Sequence, residues 1–470
     1  MKRDFNWGQL VRAKNIYGVT YPAVFDPEQI NFAGKHLGRS AYETFLNGSD
    51  FSRVNNLRWR HLKDAVNIGG LIYPMSFDLD NAVFSQMDIS KSDFSRISVP
   101  LKWSVISRAS EIWGIVYPDS FRCGDLHWQG RYIAGSDFSR VAELRWFHLK
   151  DVWGLNDLVY PIGFDVENGD FNDKNISGSD FSRLSQLKWS QIARAEFIFG
   201  ITYPESFDIE NADFHDDSMG KPRDLTGSDF SRCTALSWEQ VKFAGDMTAV
   251  TYPESFDVDY ADFTGRDISR SDFSRVRNLR WEHIALAEDA SGIIFPETFQ
   301  SDEMESTGKN FSGNDFSRLQ NLKWEHIKDA RYLAGITYPS SFDISQADFT
   351  GLDLRFSDFS RVNGLTWQHL EVAGKDLQGI VYPPGFDFSN ADLAGREIAG
   401  SDFSRVEGLT WKQMIAQSGW KRMLGVKKSL RGIAFPSQFD YSEISCEGMD
   451  ISYCDFAGMD QLQDFPETIK

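Results

Sequence analysis

The sequence predicts a repeat solenoid in which coils built on a five-residue beat alternate with a short helix and strand. Three observations predict it. Asp-Phe-Ser-Arg occurs nine times, with its Asp at 50, 93, 137, 180, 229, 272, 315, 358 and 402, in steps of 43, 44, 43, 49, 43, 43, 43 and 44. Within a unit, an Asp followed by a large apolar residue returns every five residues, as at Asp343-Ile344, Asp348-Phe349, Asp353-Leu354 and Asp358-Phe359. A Trp follows the motif Asp by nine residues in eight copies and by ten in the Asp93 copy.

The five-residue beat fits neither the helical period nor the strand period. Stretches such as Ala261-Asp262-Phe263-Thr264-Gly265, Arg266-Asp267-Ile268-Ser269-Arg270 and Ser271-Asp272-Phe273-Ser274-Arg275 resemble pentapeptide-repeat proteins. The resemblance implies a right-handed quadrilateral β-helix, four pentads to a coil. In it the large residue and the small one two positions earlier point inward. It covers about 20 of every 43 residues.

The other half of the unit departs from that family. Leu at Trp−2, an aliphatic residue at Trp+3 and often Ala at Trp+6 predict a helix with one apolar stripe. Ser237, Thr366 and Thr410 stand as N-caps, with Gln240 as a capping-box partner. Gly200, Gly292 and Gly335 are expected to end their helices. A β-branched run into Tyr-Pro, such as Ile336-Thr337-Tyr338-Pro339, closes the unit as a short strand and turn. Phe replaces the Tyr at 295 and 435.

Stacked strands lie about 4.8 Å apart and packed helices about 8–10 Å, so a helix in every unit requires two strand layers per unit. Two coils of about 20 residues supply them. A leucine-rich-repeat-like horseshoe, strands on one face and helices on the other, is the alternative architecture. Ten units begin at Trp7, Trp59, Trp103, Trp146, Trp189, Trp238, Trp281, Trp324, Trp367 and Trp411. They make residues 1–455 one solenoid, with 456–470 as a C-terminal cap over the exposed strand edge. Open coil ends also allow an end-to-end homodimer.

Net charge is −19 with a pI near 4.9, which argues against general nucleic-acid or anionic-membrane binding. Four cysteines, at 123, 233, 446 and 454, form neither a metal spacing nor a disulfide framework. There is no apolar leader and no run long enough to span a membrane. The expected location is the cytoplasm, or a host cell reached without a cleaved signal peptide.

The recurring motifs read as scaffold. Stacked Asp residues resemble a calcium ladder, yet each motif brings its own Arg and the glycine-rich ligand turns are missing. The Asp and Arg rows are therefore expected to neutralise one another and hold the coils in register. His61, His148, His283, His326 and His369 all fall at Trp+2, where Gln191, Gln240 and Gln413 also occur, which excludes metal and acid–base roles. No cofactor or metal is expected, and no hydrolase or P-loop motif is present.

Function is better sought where the rhythm fails. The coil after Tyr117 places Arg122, His127 and Tyr132 at Asp positions and Trp128 at an inward one, a cationic-aromatic composition suited to binding. The coil at 300–310 puts Ser301 and Ser306 inward and is expected to bulge. Inserts lengthen the chain near Gly38–Asn47 and His215–Pro222. The last helical segment carries Lys412, Lys421, Arg422, Lys427, Lys428 and Arg431 without an acid. The favoured expectation is a non-enzymatic protein-interaction scaffold, in one version a bacterial effector that binds a host protein. The alternatives are an acidic DNA mimic acting on a topoisomerase, and an enzyme with its site in the irregular coils.

Overall fold

The computed structural model describes residues 21, 23, 25–38, 48–79, 82–124, 128–215, 220–416, 428–429, 432–436 and 449–450. The chain forms two compact units, Met1–Asp246 and Met247–Lys470. Each is a ladder of coils.

In the first unit Asp50, Ile72, Asp93, Val116, Asp137, Val159, Asp180, Thr202 and Asp229 form one column of parallel bridges, each residue paired with the next. In the second, Thr251, Asp272, Ile294, Asp315, Thr337, Asp358, Val381, Asp402 and Ala434 do the same. Motif Asp residues alternate with the residue before Tyr-Pro or Phe-Pro, which is β-branched in every rung but Ala434. Every 43-residue repeat thus supplies two coils, as the layer argument requires. The extended part of each corner is a single bridged residue, so the expected strand does not form as an element. Corners every five residues leave no room for a longer one.

The core follows from what sits next to each bridge. The motif Phe and the Tyr of Tyr-Pro both point inward and stack face to face. Ring centroids are 4.4 Å apart for Tyr21–Phe51, 4.6 Å for Tyr203–Phe230 and 4.7 Å for Tyr338–Phe359, with interplanar angles of 6°, 8° and 10°. Those separations match the spacing of neighbouring strands. The Trp residues pack edge-on against the Phe of the next coil, as Trp59 does on Phe84 and Trp189 on Phe214, both at 5.0 Å.

The Trp segment is shorter than its stripe predicted. α1 (Trp59–Leu62), α2 (Trp103–Ile106), α3 (Trp146–Leu149), α4 (Trp189–Ile192), α5 (Trp238–Val241) and α6 (Trp281–Ile284) are single turns, and Trp324–His326 is a 3₁₀ turn. The last two, α7 (Trp367–Glu371) and α8 (Trp411–Ala416), are little longer. The apolar spacing is real, but it marks coil corners. Leu57, Trp59, Leu62, Ala65, Ile68, Leu71 and Tyr73 are all buried, most of them outside α1. A longer helix could not sit within coils held at strand spacing.

The glycines therefore do not end helices. Gly200, Gly292 and Gly335 lie beyond the helical turn, at φ of +69°, +69° and +74°. There they turn the chain back inward, and a Cβ on Gly200 would come within 3.2 Å of the Gly178 backbone. The caps are as expected: Gln240 Oε1 accepts from Ser237 N at 2.8 Å.

The stacked core sets up a paired test. Phe359→Ala removes a fully buried ring and should cost about 3–5 kcal/mol in urea unfolding. Tyr338→Phe should not lower stability, because the Tyr338 hydroxyl is buried without a protein hydrogen-bond partner.

Candidate interaction surface

The surface is built by the residues that face outward from each corner, and the repeated ones are occupied by the fold. In all nine motifs the Asp Oδ1 accepts the N–H of the Ser two residues on, for example Ser52 to Asp50 at 2.7 Å and Ser404 to Asp402 at 2.9 Å. The Asp is a turn cap. The motif Arg reaches along the ladder: Arg140 donates to Ser95 O at 3.3 Å, and Arg232 to Ser182 O and Arg361 to Ser317 O at 3.4 Å. In these repeats hydrogen bonds to backbone stand in place of the expected exchange of charge between Asp and Arg rows. A carboxylate spends itself locally because its own turn offers a donor closer than any guanidinium.

The Trp+2 slot has an equally specific structural job. Nδ1 of His61, His148, His283, His326 and His369 accepts the N–H of the residue before the Trp, at 3.0–3.2 Å. Gln191, Gln240 and Gln413 do this with Oε1 at 2.7–2.8 Å. The other end donates to the neighbouring coil, His148 Nε2 to Gly124 O at 3.0 Å and Gln413 Nε2 to Ala391 O at 2.9 Å. One acceptor and one donor at that separation are common to Gln and to neutral His.

The irregular coil after Tyr117 separates its candidates. Arg122 is exposed and bridges Lys102, whereas Tyr132 bridges Trp153 on a different column. Trp128 lies between them, 1% exposed, stacked on Trp103 at 4.5 Å. Arg122 and Tyr132 do not converge, and His127 lies outside the described residues. So do Lys421, Arg422, Lys427, Arg431, the cap at 456–470, and residues 39–47 and 216–219 of the two inserts. Lys428 is in β1 (Lys428–Ser429), which pairs in parallel with β2 (Met449–Asp450). The coil at 300–310 does not bulge. It keeps a 3₁₀ turn, Ser301–Glu303, at the offset used by Ile344–Gln346, and Ser301 Oγ donates to Asn321 O at 2.9 Å.

One feature escaped the sequence reading. The outward bridge position that Tyr132 and Trp153 share pairs His36 with Asn67, Asp88 with Glu111, Asn175 with Phe197, Asp267 with Asp289, Asn310 with Tyr332 and Asp376 with Glu397 in other repeats. Tyr132, Trp153 and Phe197 gather in neighbouring repeats of the first unit and are 46%, 69% and 43% exposed, with Phe199 beside Phe197. The second unit has Tyr332, 48% exposed, at the equivalent position. The signal lay in aligning outward positions, where three aromatic residues gather in neighbouring repeats at a position that is mostly acidic or amide in the others.

Burial pushes the Cys123 thiol up to about 12, so it is no nucleophile at neutral pH. Among the described residues no group of His, Cys, Asp or Glu could hold a metal ion, and no helix is long and apolar enough to cross a membrane.

No family model matches the chain, and no curated protein matches it. Solved structures similar to it include pentapeptide-repeat architectures. One structure of the plasmid-mediated fluoroquinolone resistance protein QnrB1 is 14% identical, covering 58% of this chain and 87% of that one, with a TM-score of 0.12. A second structure of it is 11% identical, over 77% and 87%, at 0.09. HetL, a pentapeptide-repeat protein of heterocyst differentiation from the cyanobacterium Nostoc, is 13% identical, over 73% and 86%, at 0.09. The solenoid assignment rests on the bridge columns described above.

The His slot predicts a pH dependence. Burial, then the Arg280 charge, holds His283 below its ordinary 6.5, and burial does so for His326, with Lys323 adding to it against Asp302. The unfolded chain therefore takes up these protons first, so the stability they contribute is present above about pH 6.5 and is lost as pH falls through the folded values. The urea midpoint should drop between pH 7.5 and 5, and a His283→Gln/His326→Gln variant should drop less.

Proposed function

We propose that this chain is a non-enzymatic protein-interaction scaffold, which engages a partner through the aromatic column of its first unit. The observation that carries the reading is the clustering of Tyr132, Trp153 and Phe197, all exposed, in neighbouring repeats of the first unit, at positions that are mostly acidic or amide in the other repeats. Exposed aromatic rings on a stiff ladder bring large contact area at little cost in conformational entropy, and such residues dominate interface hot spots. Solenoids commonly use extended side surfaces in this way. Bridged coils hold the rings at fixed intervals, so the surface is organised before a partner arrives.

An enzyme site in the irregular coil has less support, since Arg122 and Tyr132 stand on separate columns. The acidic-mimic reading also has less, because nine of the carboxylates it would display accept a hydrogen bond from their own turn.

The test is affinity capture with purified protein, followed by titration of the captured partner. A Tyr132→Ala/Trp153→Ala variant should fold normally and bind at least about thirtyfold more weakly, two hot-spot aromatics having been lost. Tyr260→Ala, an exposed aromatic elsewhere, should bind as wild type does. Equal binding by all three proteins overturns the proposal.

A further inference from the structure

A second surface, on a different column from the aromatic one and independent of the reading above, has inverted charge. In most units a basic or hydroxyl residue stands before the Trp, and an Asp stands five residues after the Tyr. Arg58 with Asp78, Arg145 with Asp165 and Lys188 with Asp208 are such pairs, and Arg58 and Asp78 are bridged. At the Trp103 repeat the Asp is replaced by Arg122, and Lys102 bridges it directly. Among the described residues this is the one bridge between two cations. Like charges placed directly opposite on neighbouring strands oppose pairing.

The same place holds a cavity of about 430 Å³, lined by Lys102, Trp103, Ser104, Arg108, Arg122 and Cys123. Its origin is steric. Cys123 fills an inward position taken by the larger Val166, Ile209 or Ile344 in other repeats. Trp128 replaces the usual Phe, and Trp103 lies flat on it at 19° where other Trp residues meet Phe edge-on. Lys102, Arg108 and Arg122 are all exposed at the rim. The carboxylate paired with Arg122 is Glu143 of the next coil, at 3.8 Å with both side chains about half exposed, which is a weak contact.

We infer that this cavity binds a small oxyanion-bearing molecule, its carboxylate or phosphate groups held between Arg122, Arg108 and Lys102. The Arg fork matches either group bidentately, and Ser104 adds a hydroxyl donor at the wall. The volume falls within the range of small-ligand sites. A bound anion would also relieve the repulsion between Lys102 and Arg122, so ligand and fold stabilise each other.

The turn itself does not need Arg122. Trp146 N donates to Asp165 Oδ1 at 2.6 Å, whereas Trp103 N donates to the Arg122 carbonyl at 3.0 Å. Arg122→Asp restores the residue found at this slot in most other repeats, so the variant should fold with a urea midpoint no lower than wild type. Calorimetric titration with citrate, inorganic phosphate and adenosine 5′-monophosphate, at low and moderate salt, tests the site. The expected result is saturable binding of at least one probe by wild type, weakened by salt and roughly tenfold or more weaker in Arg122→Asp and in Arg108→Gln. Binding of citrate alone assigns carboxylate ligands, and binding of either phosphate probe assigns phosphorylated ones. No saturable binding by any probe, or binding by both variants as tight as by wild type, overturns the inference.

Discussion

Inside each ladder a phenylalanine ring lies on a tyrosine ring at about the distance that separates two hydrogen-bonded strands. That coincidence of lengths is what lets two chemically different coils share one rise. The pentad coil contributes Phe beside its bridged Asp, and the Trp coil contributes Tyr beside its bridged β-branched residue. Stacked rings prefer centroid separations from about 4.5 Å, and backbone pairing prefers about 4.8 Å, so neither is strained to suit the other. A larger body between the coils would break both. For that reason the Trp segment is held to about one helical turn, and for the same reason glycine lines the inner bend where coil backbones nearly touch.

The tyrosines show that the fit is one of shape more than of polarity. The hydroxyls of Tyr117, Tyr160, Tyr203, Tyr252, Tyr338 and Tyr382 are buried with no protein partner, and burial pushes every one of these phenols up in pKa. An isolated buried hydroxyl is costly, while the ring that carries it gains packing on both faces. Phe295 fills the same position on Phe316 at 5.0 Å, at a steeper 29°. The flatter stacks of the tyrosine repeats indicate that the whole phenol fills the column, and that the oxygen is tolerated as part of that filling.

The period and the inward residues were legible because the core repeats: a Phe or Trp missing from its slot would leave a void in a one-dimensional stack with no other atoms to fill it. The helix was over-read because the corners of a coil also return an apolar residue every third position, which mimics a helical stripe. The charge ladder was misread because a carboxylate two residues before a free N–H closes on its own turn, a local preference that outcompetes a distant Arg. The aromatic column was missed because outward positions vary freely, and only the bridge register shows which of them share a face.

A scaffold residue and a functional one are told apart here by what the neighbouring repeats put in the same slot. His and Gln replace one another at Trp+2 in all repeats but that of Trp103, which has Val105, since both present one acceptor and one donor. Arg122 fails that comparison. It exchanges Asp for the opposite charge, faces a lysine across the bridge, and leaves intact a turn that the Asp would have capped. Nothing in the packing of the coil calls for the change, and the cross-strand repulsion it creates is unfavourable in the free protein. A substitution that weakens the ladder and places a second cation on the rim of the cavity that Cys123 and Trp128 leave is accounted for by what the cavity holds.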